Sequence, residues 1–166
     1  MSDFIFDIET TGLNSCEDRI VCISLKNLET KNLITFIDID EGKVISEFWN
    51  SIREKIPNLI GFNSDSFDIP FLIKRSLINR VKICKFESLD LRKLANGFSY
   101  SYDKFEKGSL NFWAKTTGMK EKAENGDMIL HYFFNHEYEK IKAHVENDIE
   151  ITEKLYDLIK YCEVLK

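Results

Sequence analysis

Two acids two residues apart in an otherwise apolar stretch are the first groups placed to do chemistry. They are Asp7 and Glu9 in Phe4-Ile5-Phe6-Asp7-Ile8-Glu9-Thr10-Thr11-Gly12. A run rich in Ile and Phe that ends at Thr-Thr-Gly reads as a short buried strand closed by a turn. Side chains alternate along a strand, so Asp7 and Glu9 share one face while Phe4, Phe6 and Ile8 share the other. Acids are depleted in strands, and two carboxylates on one buried face repel each other. A hard divalent cation, which takes carboxylate oxygens as ligands, resolves that conflict. A strand with a solvated polar face has the same pattern, so the pair alone does not establish a metal.

A second acid stands where a helix needs an apolar residue. Residues 137–165 are predicted to form a helix whose core stripe runs Ile141, Val145, Asp148, Thr152, Leu155, Ile159 and Cys162, in steps of three and four. His144 lies four residues before Asp148, about 40° around the helix, so both face the body of the protein. An unpaired buried carboxylate is costly, so Asp148 calls for a cation or for donors. Glu139, Glu146, Glu150, Glu153, Asp157 and Glu163 are assigned to the solvated face. A third segment, Gly61-Phe62-Asn63-Ser64-Asp65-Ser66-Phe67-Asp68-Ile69-Pro70-Phe71-Leu72, leads from a strand end into a helix. Such a junction exposes side chains and helix amides at a sheet edge. By itself, Asp68 is equally a helix cap or a first-turn acid.

The elements that must position these residues follow from apolar periodicity. Strands are expected at 4–12, 19–26, 32–39, 58–62 and 81–86, with a polar hairpin at 27–31. Helices are expected at 40–55, stopped by Pro57, and at 67–78, 89–95, 110–116 and 128–134. Residues 97–108 read as a loop. Strands first, one helix crossing between them and helices last give an α/β domain with a mixed central sheet. The 166 residues, 43% hydrophobic and 31% charged, suit one domain over 1–166 with a sizeable core.

No apolar run is long enough to span a membrane, and no charged-then-apolar signal opens the chain. Cys16, Cys22, Cys84 and Cys162 lack C-x-x-C spacing, which points away from zinc ribbons and towards free thiols in the cytoplasm or another reducing compartment. The net charge of −5 is unevenly spread: residues 74–122 carry 12 Lys/Arg and 5 Asp/Glu, against 11 and 23 in the remainder. A basic middle beside acidic flanks suits a surface for phosphate and another for cations. A solvated mixed-charge surface fits the same counts.

Taken together, the three segments resemble the DEDD superfamily of 3′→5′ exonucleases. F-D-I-E-T-T-G-L at Phe6–Leu13 is similar to its first motif, N-S-D-S-F-D-I-P at Asn63–Pro70 to its second, and H-V-E-N-D from His144 to Asp148 to its third. The motifs occur in order over nearly the whole chain. The histidine stands four residues before the final acid, the spacing of the tyrosine subclass. The histidine subclass usually spaces it at five. The second motif and Lys-Gly-Ser-Leu at 107–110 also resemble the tyrosine branch, as in polymerase proofreading domains.

The resemblance implies a ribonuclease H-like mixed five-stranded sheet flanked by helices, with a long C-terminal helix. It implies a metal-dependent 3′→5′ exonuclease using two divalent cations, Mg²⁺ or Mn²⁺, about 3.5–4 Å apart. Asp7, Glu9 and Asp148 would hold one ion, Asp7 would bridge to the second, and Asp68 would support that one. His144, with an ordinary pKa near ~6.5, would be the candidate base, a role its spacing leaves open. Thr10, Leu13 and Asn63 are candidates for gripping the terminal nucleotide. Phe67 is a candidate for stacking and, with preference, for the core. The expected partner is single-stranded DNA or RNA, read with little sequence preference. The basic segment would make binding salt-dependent. With no polymerase domain in these residues, the exonuclease would stand alone or serve a polymerase or other nucleic-acid-processing protein in trans. Two other readings use the same residues: a non-catalytic module that binds nucleic acid or protein, and an endonuclease.

Overall fold

A computed structural model describes residues 2–54, 56–96, 108–119 and 128–164. The first strand, β1 (Ser2–Thr10), is followed by β2 (Ile20–Asn27) and β3 (Leu33–Ile37). Then come α1 (Glu41–Ser51), β4 (Pro57–Gly61), α2 (Asp68–Ile78), β5 (Glu87–Asp90) and α3 (Leu91–Ala95). The chain closes with α4 (Leu110–Thr116), α5 (Ile129–Phe134) and α6 (Tyr138–Tyr161). The five strands form one sheet in the order β3-β2-β1-β4-β5. The β1–β2 and β2–β3 pairs are antiparallel, while β4 and β5 run parallel to β1. The expected mixed α/β sheet is therefore the observed one.

β1 lies at the centre of the sheet and is packed on both faces. Phe6 and Ile8 pack with Val44, Phe48, Trp49 and Leu72 of α1 and α2. Ile5 packs with Ile149, Leu155, Tyr156 and Ile159 of α6. Residues 3, 5, 7 and 9 therefore face α6. The hydroxyl of Tyr156 donates to Asp3 at 3.5 Å at one end of this face, and Asp7 and Glu9 occupy the other. The buried Trp49 is satisfied as well as packed: its Nε1–H donates to Ser76 Oγ at 2.9 Å.

The polar residues 27–31 form the anticipated hairpin. Asn27 Oδ1 accepts the backbone N–H groups of Glu29 and Thr30, both at 2.9 Å, and Lys31 takes the left-handed turn at φ 61°. α1 starts at Asp40, whose side chain accepts the Lys43 N–H at 3.3 Å, and ends at Ser51, so Pro57 opens β4 rather than stopping the helix.

Three further local expectations change. The fifth strand is Glu87–Asp90, not 81–86: the apolar Val81, Ile83, Cys84 and Phe86 instead pack irregularly under α1 and α2. The long helix ends at Tyr161, which leaves Cys162 at its cap and exposed. Glu153 is buried, not solvated, because α6 lies across the sheet and brings it to Lys26 Nζ at 2.5 Å and Lys31 Nζ at 3.0 Å. The loop expected at 97–108 falls outside the described residues except for Gly108. The cysteines are free thiols. Among the described residues, no helix is long and apolar enough to cross a membrane.

Candidate active site

β1 delivers its acids where its pairing with β2 breaks register. Asp7 stands opposite Ser24 and Glu9 opposite Cys22, after which a bulge moves Thr10 opposite Ile20. A bulge bends a strand and ends regular pairing, so the chain turns away just past Glu9. The turn is closed by Asp18, whose carboxylate accepts the Asn14 N–H at 2.8 Å and the Thr11 hydroxyl at 3.3 Å. Gly12 leaves room for this carboxylate: a Cβ there would lie 2.5 Å from Asp18 Oδ2, and the side chain would have to shift. Glu41 and Arg75 brace it from below. Glu41 accepts the Ile20 N–H at 2.7 Å and pairs with Arg75 Nη2 at 2.6 Å. Burial alone pushes the Glu41 carboxyl up, but Arg75, the Ile20 N–H and Asn79 hold it below the ordinary range.

Asp68 arrives as the first residue of α2, which has no side-chain cap. Its carboxylate does not cap the helix: Oδ1 accepts the backbone N–H of Ile8 at 3.3 Å, between the two acids of β1. The acid is 5% exposed. Burial pushes its carboxyl up to about 7 against the bonds from its own N–H and that of Ile8, and Asp90 and Asp148 add to the rise.

α6 supplies the remaining groups from positions i and i+4 of one face. Asp148 is 3% exposed, and the His144 side chain is also largely covered, with Nε2 3.5 Å from Glu9 Oε1. One donor atom each from Glu9, His144 and Asp148 lies within 4.8 Å of the others. The same negative field reaches β2, where burial first, then Glu9, Asp7 and Glu146, push the Cys22 thiol well up.

A cleft of about 220 Å³ joins these groups, lined by Asp7, Ile8, Glu9, Phe62, Asn63, Phe67, Asp68, Leu110, His144 and Asp148. The five residues expected to be catalytic and the four expected to hold metal thus share one cavity with Asn63 and Phe67. Phe67 packs against the core under α2, as preferred for it, and one side of it lines the cleft. Thr10 and Leu13 do not line the cleft. The Thr10 hydroxyl donates to Gly12 O at 2.7 Å inside the turn, and Leu13 projects from it, 85% exposed.

Two participants are not among the expected site residues. Leu110 reaches the cleft because Ser109 caps α4 through the Phe112 N–H at 3.3 Å. Asp90 anchors the second motif: it accepts the backbone N–H of Asn63 at 2.8 Å, of Asp65 at 3.3 Å and of Arg92 at 3.0 Å. Arg92 Nη1 then donates to Asn63 Oδ1 at 2.7 Å. An acid between Leu89 and Leu91 at a strand-to-helix junction carries the same signal as Asp68. Of the basic segment, Arg75 and Lys93 are spent on Glu41 and Asp65, while Lys74, Arg80, Lys82, Lys85 and Lys115 are exposed.

The donor set fits divalent cations. Carboxylates from three separate elements converge where burial penalises their charge, and oxygen ligands of this kind suit Mg²⁺ and Mn²⁺.

Comparison with known proteins agrees with this arrangement. A family profile described as the RNase H superfamily matches residues 4–160. An uncharacterised protein of Methanocaldococcus jannaschii is 36% identical over all of this chain and 99% of its own length. A DNA polymerase of Pyrococcus glycovorans is 37% identical over 84 residues, which are 43% of this chain and 11% of the polymerase. In structure, the chain matches the family B DNA polymerase of Pyrobaculum calidifontis with a TM-score of 0.78 at 18% identity, over 96% of this chain and 24% of that one. It matches E. coli exonuclease I in complex with a dT13 oligonucleotide with a TM-score of 0.63 at 13% identity, over 96% and 41%. Apart from the M. jannaschii protein, the chain spans less than half of each of these relatives. The chain belongs to the RNase H superfamily, with the ribonuclease H-like fold of the DEDD 3′→5′ exonucleases.

Proposed function

We propose that the protein is a metal-dependent 3′→5′ exonuclease that hydrolyses phosphodiester bonds at the 3′ ends of single-stranded DNA or RNA. The observation that carries this reading is the convergence of Asp7, Glu9, Asp68, His144 and Asp148, drawn from β1, α2 and α6, on one open cleft. Asp7, Glu9 and Asp148 would hold one divalent cation, and Asp68 with Asp7 a second. Bound there, the ions supply Lewis acidity at the phosphate and lower the pKa of water.

The chain's own groups do the rest. Without cations the carboxylates repel a phosphodiester, so substrate binding and ion binding are coupled. Asn63, its side chain held by Arg92, presents a fixed polar edge. Phe62, Phe67 and Leu110 form an apolar wall for a terminal sugar and base. Thr10 and Leu13, on the braced turn after β1, extend the gripping surface beyond the cleft. His144 places an imidazole nitrogen among the carboxylates, a group able to take protons or ions near neutral pH. The exposed lysines and arginines of the basic segment supply salt-dependent attraction for the rest of the strand. The fold shared with an exonuclease captured on an oligonucleotide supports this substrate class.

The reading is tested with strands of one sequence in linear and circular form. With Mn²⁺ or Mg²⁺, the linear strand is expected to be shortened and the circle to stay intact. Cutting of the circle would assign an endonuclease instead.

A further inference from the structure

His144 and Asp148 stand at i and i+4 of α6 and present their donors on the same face, with Glu9 opposite on β1. Two donors four residues apart on one helix make a ready chelate for a metal ion. Ligand bonds to small divalent ions run about 2.0–2.1 Å, so neighbouring donors on an octahedral ion stand about 3.0 Å apart and opposite ones about 4.2 Å. His144 Nε2 and Glu9 Oε1 are 3.5 Å apart, and all three donor atoms lie within 4.8 Å. Small side-chain rotations bring that triangle onto one ion.

We propose that His144 is a ligand, through Nε2, of the ion held by Glu9 and Asp148, so that this site selects a nitrogen-accepting divalent transition ion such as Mn²⁺ or Co²⁺ over Mg²⁺. The proposal rests on the exonuclease reading of the cleft and assigns its histidine to the metal rather than to proton transfer. The reason for selectivity is ligand type. Mg²⁺ prefers an all-oxygen shell, whereas the first-row transition ions accept imidazole increasingly well from Mn²⁺ towards the later members. Replacing one oxygen position by imidazole therefore weakens Mg²⁺ relative to Mn²⁺ and Co²⁺. Neither His131 nor His136 lines the cleft, so the imidazole contribution is specific to position 144.

The test reads the metal directly. Mn²⁺ is titrated into metal-free wild-type protein and His144→Gln, with free Mn²⁺ followed by its paramagnetic resonance signal and Mg²⁺ as competitor. Pulsed measurements on the bound ion look for coupling to a coordinated ¹⁴N. In the wild type, ¹⁴N coupling is expected and Mg²⁺ competes poorly. In His144→Gln the coupling disappears and the Mn²⁺ preference over Mg²⁺ falls at least tenfold, while His131→Gln keeps both. Bound Mn²⁺ without ¹⁴N coupling in the wild type overturns the proposal, whether or not the variant folds. If linear strands are still shortened in that case, only the ligand assignment fails. Absence of any divalent binding together with absence of nuclease activity overturns both this proposal and the exonuclease reading.

Discussion

Asp68 Oδ1 accepts the backbone N–H of Ile8 at 3.3 Å, which fastens the acid of α2 to the strand between Asp7 and Glu9. This bond ties the start of α2 to the middle of β1, residues 60 positions apart in the sequence. It also holds a carboxylate in a buried place beside other carboxylates, a stabilising arrangement only when a cation is present.

Neutralising that carboxylate should therefore stabilise the metal-free protein. Below about pH 7 the folded chain keeps a proton on Asp68 that an unfolded chain releases near pH ~3.9. Metal-free stability thus falls as pH rises through that window. Asp68→Asn is expected to raise the melting temperature in EDTA at pH 8, by an amount on the order of 1–2 kcal/mol, or roughly 2–8 °C. The same variant should lose most of the stabilisation that Mn²⁺ gives the wild type. Thermal melts with and without Mn²⁺ check both, and a lower melting temperature in EDTA would contradict the account.

Asp90 is expected to act through Asn63. Asp90→Ala removes the acceptor for three backbone N–H groups, at a cost of about 1–3 kcal/mol. It frees Asn63, which sits at φ 65°. Strand cleavage should show a higher KM with a smaller change in kcat, because substrate positioning is lost while the carboxylates remain. Steady-state kinetics on a labelled oligonucleotide read this directly.

Gly12→Ala tests the turn after β1. The new Cβ would collide with the Asp18 carboxylate, and that carboxylate must then let go of Asn14 or Thr11. A loss of about 1 kcal/mol in stability is expected, with weaker binding of the strand end and unchanged Mn²⁺ affinity. Wild-type strand binding in this variant would remove the turn from the substrate site.

Acid stability should depend on Glu41. Its carboxyl is held below the ordinary range, so its contribution is present above the unfolded value near ~4.3 and is lost as pH falls through the lower folded value. Glu41→Ala leaves the partly exposed Arg75 and the buried Ile20 N–H without their acceptor and should cost about 1–3 kcal/mol at pH 7. Glu41→Gln should show a shallower decline in stability below pH 4.5 than the wild type. Unfolding by urea at a series of pH values measures both.

Much of this arrangement is legible in the sequence because acids in apolar surroundings are conspicuous. Asp7 and Glu9 interrupt a strand and Asp148 interrupts a helix stripe, and all three line the cleft. The fifth strand differs from expectation because Val81, Ile83 and Phe86 are apolar enough to resemble a strand, while tertiary packing uses them as cover for α1 and α2. The observed strand, Glu87–Asp90, has little apolar character and is set by its pairing with β4. Glu153 looked solvated because helical periodicity does not reveal how wide a sheet the helix covers. Leu110 and Asp90 reach the site through caps and backbone bonds, which leave no periodic trace.

The most direct test of the central claim follows a 5′-labelled single strand, as DNA and as RNA, incubated with Mn²⁺, Mg²⁺ or EDTA and with wild type or Asp7→Ala. A ladder that shortens from the 3′ end, requires the metal and is absent in Asp7→Ala is the predicted result. An intact strand under every metal condition, with binding retained, would contradict it and make the cleft a binding site without catalysis.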